Sequence, residues 1–229
     1  MDFLRSYFEA LRHPRAWWTL ASNAIPVAGV LYFGWHALPL LVFYWIENVV
    51  IGAVNVLKIL ATGMTKPMPM PVAALFFVVF FVVHYGLFCF VHGTFVLAIF
   101  TMNDLVQGGV EPTSGAFDLV PRMTQILQLD RDLFWSACAM VVMRLGEFAI
   151  LWLPSGHWRA MEPSTQMIEP YGRVVVLHAT IVLGAIPVIS LGQPVLAVLF
   201  LAVMKTGLEL GLPLIGRDGA KPPPSPLSQ

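Results

Sequence analysis

The chain has 229 residues, of which 58% are hydrophobic and 11% are charged, and its formal net charge is zero. Soluble domains have about 45–50% apolar and about 25% charged residues, so this composition predicts an integral membrane protein. A mean hydropathy of +0.76 agrees with that class. Zero net charge gives no indication of a nucleic-acid partner, and two cysteines in apolar runs do not predict a disulfide framework.

The first predicted element is an amphipathic helix over residues 1–14, lying in the membrane interface. Its apolar side chains recur at helical spacing, with charged residues on the opposite face, and Pro14 ends it. Trp17 and Trp18 then mark the boundary between water and lipid.

Six apolar stretches follow and predict an all-α bundle of six transmembrane helices within residues 15–212. Each is long enough, or nearly so, to cross a hydrocarbon core of ~30 Å. Their predicted bounds are Ala16–Gly34, Ala37–Leu60, Pro71–Met102, Asp132–Leu153, Pro170–Ser190 and Pro194–Leu212. Residues 103–131 are predicted to be a solvated connector, and residues 213–229 a disordered, Pro-rich tail.

The distribution of Lys and Arg predicts the orientation in the membrane. With the N-terminus inside, most basic residues fall on the cytoplasmic side, and the opposite side holds only Arg122 and Arg131. Both termini are therefore predicted to be cytoplasmic, which agrees with an even number of spans.

Buried polar residues fall into two layers when the helical rise is used to place them by depth. The midplane layer is predicted to contain Glu47, Asn48, His84, Arg144 and Lys205, and the layer beneath it Asn55, Glu147, His178 and Glu209. Such groups normally face the bundle interior and often mark a functional site. A purely structural interpretation stays open, since Arg144–Glu147 and Lys205–Glu209 have intrahelical spacing and asparagines hold helices together.

The histidines suggest a metal site that combines three helices. Glu47, His84 and His178 would offer one carboxylate and two imidazoles, a set suited to zinc, iron or manganese. A haem held between His84 or His92 and His178 is the alternative, and proton transfer by His and Glu is a third. His92 is the weaker candidate because fewer polar groups lie at its depth. Gly86 and Gly93 are predicted to let a neighbouring backbone, or a flat ligand, approach closely.

The segment EPYGRVVVLH predicts the start of the fifth span. Pro170 would occupy the first helical turn, and Glu169 would lie at its N-terminus. Glu169 and Arg173 are four residues apart, so they are predicted to pair at the cytoplasmic boundary.

At YWIENVVIGAVN, residues 44–55, and HYGLFCFVHG, residues 84–93, the chain resembles a family of bacterial multi-pass membrane proteins known as a domain of unknown function. The resemblance covers roughly residues 15–212. It implies a bacterial inner-membrane location and supplies no activity, cofactor or catalytic residue.

Three hypotheses on function stay open at this point. The buried site could bind a metal or haem, the protein could be a small proton-coupled transporter, or it could be a non-catalytic subunit. The last would act as a homo-oligomer or with another membrane protein. No serine-protease, P-loop or HExxH pattern occurs in the sequence, so it does not say whether the protein is an enzyme.

Overall fold

The computed structural model describes residues 14–35, 37–106, 118–172 and 174, and these residues form helices joined by turns. The helices are α1 (Pro14–Tyr32), α2 (Ala37–Met64), α3 (Met70–Val106), α4 (Leu119–Leu129) and α5 (Arg131–Gly146). A π-helix (Glu147–Trp152), one more α-helical turn (Leu153–Ser155) and a 3₁₀ turn (His157–Arg159) continue from α5. Residues 163–172 form a further helix, α6. No strand occurs in these ranges, which confirms the all-α prediction for them.

Three helices in the described ranges are long and apolar enough to cross a membrane. They are Pro39–Met64, Met70–Leu97 and Arg131–Ser155, and they coincide with the second, third and fourth predicted spans. The first predicted span corresponds to α1, which has 19 residues with Pro26 inside and is not one of the three. The N-terminal amphipathic helix, most of the fifth span, the sixth span and the Pro-rich tail lie outside the described residues.

The antiparallel hairpin of α2 and α3 provides the most extensive helix packing in the described chain. Gly93 of α3 makes room for the indole of Trp45: a Cβ added to Gly93 would lie 2.6 Å from Nε1 of Trp45. Trp45 Nε1 also donates a hydrogen bond to the carbonyl oxygen of Cys89 at 2.8 Å. At Gly93, therefore, a side chain packs closely in place of the predicted neighbouring backbone. At Gly86 no described atom lies within 4 Å of an added Cβ, so no packing role is seen there.

Helix α4 lies in the segment that was predicted to be a solvated connector. Leu119 and Met123 are buried in a core cluster that also contains Val96 of α3 and Leu133 of α5. The connector prediction is wrong for residues 119–129, because apolar side chains at helical spacing give this segment one face to bury. The side chain of Asp130 then accepts a hydrogen bond from Leu133 N at 2.9 Å and caps the start of α5.

Trp18 connects α1 to α5 through a hydrogen bond and a packing contact. Its Nε1 donates a hydrogen bond to the carbonyl oxygen of Met143 at 2.8 Å, and its ring covers Gly146. The neighbouring Trp17 is 64% exposed. Of the two residues predicted to mark the membrane boundary, Trp18 thus also makes a contact between helices.

Replacing Trp18 by Phe keeps an aromatic ring and removes the hydrogen bond to Met143. We expect Trp18→Phe to lower the free energy of unfolding by about 1 kcal/mol, the usual net value of one hydrogen bond. Thermal unfolding in detergent would show this as a lower melting temperature. Trp17→Phe is the matched control and should leave stability nearly unchanged; equal effects of the two variants would contradict the anchoring role of Trp18.

Candidate functional site

Glu47, Arg144 and Glu147 form a buried charge cluster between α2 and the end of α5. Arg144 Nη2 donates a hydrogen bond to Oε1 of Glu47, and Nη1 donates to Oε2 of Glu147 at 3.1 Å. The side chains of Arg144 and Glu47 are each 3% exposed, and that of Glu147 is 22% exposed. One guanidinium therefore holds two carboxylates, one on each helix.

The charge cluster lies well inside two of the candidate spans. Glu47 belongs to Pro39–Met64 and Arg144 to Arg131–Ser155, and each is about two turns or more from either end. The structure thus brings together two members of the predicted midplane layer. The intrahelical pair of Arg144 and Glu147, predicted from its spacing, also forms.

The backbone changes its geometry at this point of α5. The N–H of Glu147 donates to the carbonyl oxygens of Arg144 and Met143, and the π-helix Glu147–Trp152 begins there. A π-helical turn widens the helix, and such turns occur frequently at functional sites. The second carboxylate of the charge cluster therefore lies on the residue at which the helix widens.

A second group of polar side chains, which we call the inner polar cluster, lies two turns further along α2. Gln166 Nε2 donates to Oδ1 of Asn55 at 2.9 Å and also to Oε2 of Glu169. Lys58 Nζ donates to the two carboxylate oxygens of Glu169 at 3.1 and 3.3 Å. Asn55 is 2% exposed and Gln166 is fully buried. Lys58 also lies over the ring of Trp152, 5.6 Å from its centroid.

Gln166 and Glu169 were not predicted as site residues, because they precede Pro170, where the fifth helix was predicted to begin. Lys58 was counted only among the basic residues of the cytoplasmic side. That start is wrong: α6 begins at residue 163, and Gln166 N donates to the carbonyl oxygen of Glu162 at 3.1 Å. The sequence does contain a signal for the earlier helix start: the Glu-Pro dipeptide at 169–170 also occurs seven residues earlier, as Glu162-Pro163. Glu169 pairs with Lys58, and the side chain of Arg173 lies outside the described residues.

The predicted metal ligands have separate surroundings. His84 is exposed in the described chain, stacks on Phe80 at 5.6 Å and lies 5.9 Å from the ring of Tyr171. His92 stacks on Phe88 at 5.2 Å. His178, Lys205 and Glu209 lie outside the described residues. The set of Glu47, His84 and His178 therefore stays a prediction.

Contacts at Glu47 disfavour a metal ion there. The guanidinium of Arg144 donates a hydrogen bond to one carboxylate oxygen of Glu47, and its positive charge repels a second cation at that carboxylate. Across the described ranges, no group of three or more His, Cys, Asp or Glu side chains could hold a metal ion. Asn48, the next residue of α2, is buried, and its backbone carbonyl oxygen accepts a hydrogen bond from the hydroxyl of Tyr85 at 3.1 Å.

Comparison with known proteins places the chain in a family. The family of unknown function DUF6498 matches it over residues 6–225, so the chain belongs to that family. This confirms the resemblance to a domain of unknown function that the sequence motifs carried. No curated protein and no solved structure matches the chain.

Proposed function

We propose that the protein is a small carrier of the inner membrane that moves a solute together with protons through the charge cluster. One observation carries this proposal: Arg144 binds Glu47 and Glu147 at once, inside two candidate membrane spans. Ionisable groups at that depth are costly, and they commonly mark the pathways of ions and substrates. Transporters commonly place their substrate and coupling-ion sites near the middle of the bilayer.

The numbers of charges in the cluster suit proton coupling. With one proton on either carboxylate, the cluster is a neutral ion pair with a neutral acid beside it. Releasing that proton leaves two carboxylates against one guanidinium, and thus a net charge of −1 between the two helices. Glu147 is the more exposed carboxylate, at 22% against 3% for Glu47, so we assign proton exchange to Glu147. Glu47 is then the lasting partner of Arg144.

The proposed arrangement in the membrane follows the distribution of basic residues. It has residues 1–14 in the interface, six spans within residues 15–212, a tail at 213–229 and both termini in the cytoplasm of a bacterial cell. Lys58 of α2 contacts α6, and Lys66 in the turn after α2 contacts the turn before α6, so these basic residues lie at one end of the described bundle. Arg122 and Arg131 lie in or beside α4, at the opposite end of α3 and α5.

Reconstitution into liposomes tests the carrier directly. A pH-sensitive dye inside the vesicles would report proton movement when amino acids, sugars and inorganic ions are added one at a time. At least one solute should evoke proton movement above that of empty liposomes, and Glu147→Gln should abolish it. Asp132→Asn, which removes a carboxylate at an exposed position on the start of α5, is the control and should keep the flux. Absence of any solute-evoked movement, or full flux in Glu147→Gln, would overturn the proposal.

A further inference from the structure

Helix α6 lies across the end of α2 in an antiparallel register that two ion pairs define. Lys66 Nζ contacts Oε1 of Glu162 at 2.9 Å, and Lys58 Nζ contacts Oε2 of Glu169 at 3.1 Å. The later residue of the α6 segment pairs with the earlier residue of the α2 segment, so the two helices run antiparallel. Lys66 Nζ also donates to the carbonyl oxygen of Met161 at 2.7 Å. These two ion pairs form a ladder that begins in the turn before α6 and reaches Glu169 of α6.

The part of α2 beneath this ladder is its polar face. Asn55, Lys58 and Thr62 recur every three or four residues, so they lie on one side of α2. Lys66 follows in the turn after the helix. Thr62 lies between the two ion pairs and is fully buried. Glu47 of the charge cluster lies two turns beyond Asn55 on the same helix. Helix α6 thus covers the polar face between the charge cluster and the end of the span.

The contact between α6 and α2 leaves two buried polar atoms without hydrogen-bond partners in the described ranges. Asn55 Nδ2 and Gln166 Oε1 are buried, and within the described ranges neither has a hydrogen-bond partner. A buried donor and a buried acceptor without partners destabilise the state that contains them. Water would satisfy both atoms if α6 moved away, so hydration favours the open arrangement.

The chain around α6 has the features of a hinge. Pro170 has no N–H, so the carbonyl oxygen of Gln166 cannot accept its usual helical hydrogen bond. Gly172 follows two residues later and adds no side chain that would stiffen the backbone. On the other side, Gly156 has a φ of +69°, in the left-handed region, and starts the turn that leads to α6. Bending at these points would lift residues 163–169 without unfolding them.

We propose that α6 is a cytoplasmic gate that controls access of water and solute to the charge cluster. The Lys58–Glu169 ion pair and the Asn55–Gln166 hydrogen bond hold it closed in this structure. What the gate admits rests on the proposed carrier function. Opening of the gate does not depend on the carrier function and can be measured without any flux.

Cysteine labelling at Thr62 tests the gate. Cys89 and Cys138 are the only cysteines, so a Cys89→Ala, Cys138→Ala background carries Thr62→Cys as the single reactive site. A charged, membrane-impermeant maleimide is added to the purified protein, and the rate of modification is followed by mass. Glu169→Lys puts two ammonium groups together and should raise that rate by about tenfold or more. Lys58→Glu combined with Glu169→Lys restores an ion pair with its charges exchanged and should return the rate to within about threefold of the parent.

Asp132→Lys is the matched control, since it makes the same charge change at an exposed position on the start of α5 and should leave the rate unchanged. Glu169→Gln, which keeps the side-chain shape, serves if Glu169→Lys does not elute as a folded species, and it too must raise the rate. An unchanged rate in the tested Glu169 variant, or a failure of the exchanged pair to slow labelling, would overturn the gate. Gated labelling without solute-evoked proton movement would contradict the carrier alone, and flux without gated labelling would contradict the gate alone.

Discussion

Arg144→Met should be the most destabilising single substitution in the charge cluster. It removes the common partner of two carboxylates and leaves Glu47, which is 3% exposed, without the guanidinium that it contacts. Loss of one partner of a buried ion pair costs about 3–5 kcal/mol, because the remaining charge has lost its compensation. Unfolding of the purified variant in mixed micelles would measure the difference in free energy.

The companion variants separate the shared role of Arg144 from the loss of any one charge. Glu47→Gln should cost less than Arg144→Met, because Glu147 still contacts the guanidinium, and Glu147→Gln should cost least, because that side chain is partly exposed. Arg144→Met combined with Glu47→Leu removes both charges and should recover much of the lost stability, as apolar replacements of buried pairs often do. Equal effects of the three single variants, or no recovery in the double variant, would show that Arg144 does not balance the two carboxylates.

The central helices were predictable because hydrophobicity alone defines them. For α2 the predicted start at Ala37 is the observed one, and α3 begins at Met70, one residue before the prediction. Long apolar runs between turn-forming residues leave little freedom in where a helix can begin. Helix α4 was missed because it has only 11 residues and follows a Gly-rich stretch. Its burial depends on contacts with α3 and α5, which are distant in sequence and which local composition does not encode.

The pairing of Glu47 with Arg144 was predictable from their positions along their helices, whereas the direction of a side chain around its helix was only partly so. The helical rise placed Glu47 and Arg144 at similar depth, and the structure pairs them. The same calculation placed His84 near the midplane, yet His84 lies on an exposed face of α3 in the described chain. Which face is buried depends on the position of neighbouring helices. Gln166 was missed because it precedes the predicted start of the fifth helix, and its burial also depends on the docking of α6 on α2.

The close approach of α2 and α3 at their shared turn predicts a second large effect, at Gly63. A Cβ at this position would overlap the Cβ of Ala74 and would lie 3.3 Å from the carbonyl oxygen of Met70 and 3.4 Å from the Cα of Ala74. Two of these three atoms belong to the backbone of α3, so a rotamer change cannot make room. The helices would have to separate near the turn that connects them.

We therefore expect Gly63→Val to lower the free energy of unfolding by about 1–3 kcal/mol, the usual range for overpacking a buried site. Gly86→Ala is the matched control, because no described atom lies within 4 Å of its added Cβ. Alanine is the better helix former, so that variant should be neutral or more stable by up to about 1 kcal/mol. Unfolding of both variants in the same micelles would decide the matter. A Gly63→Val protein as stable as the parent would mean that α2 and α3 do not approach each other this closely at Gly63.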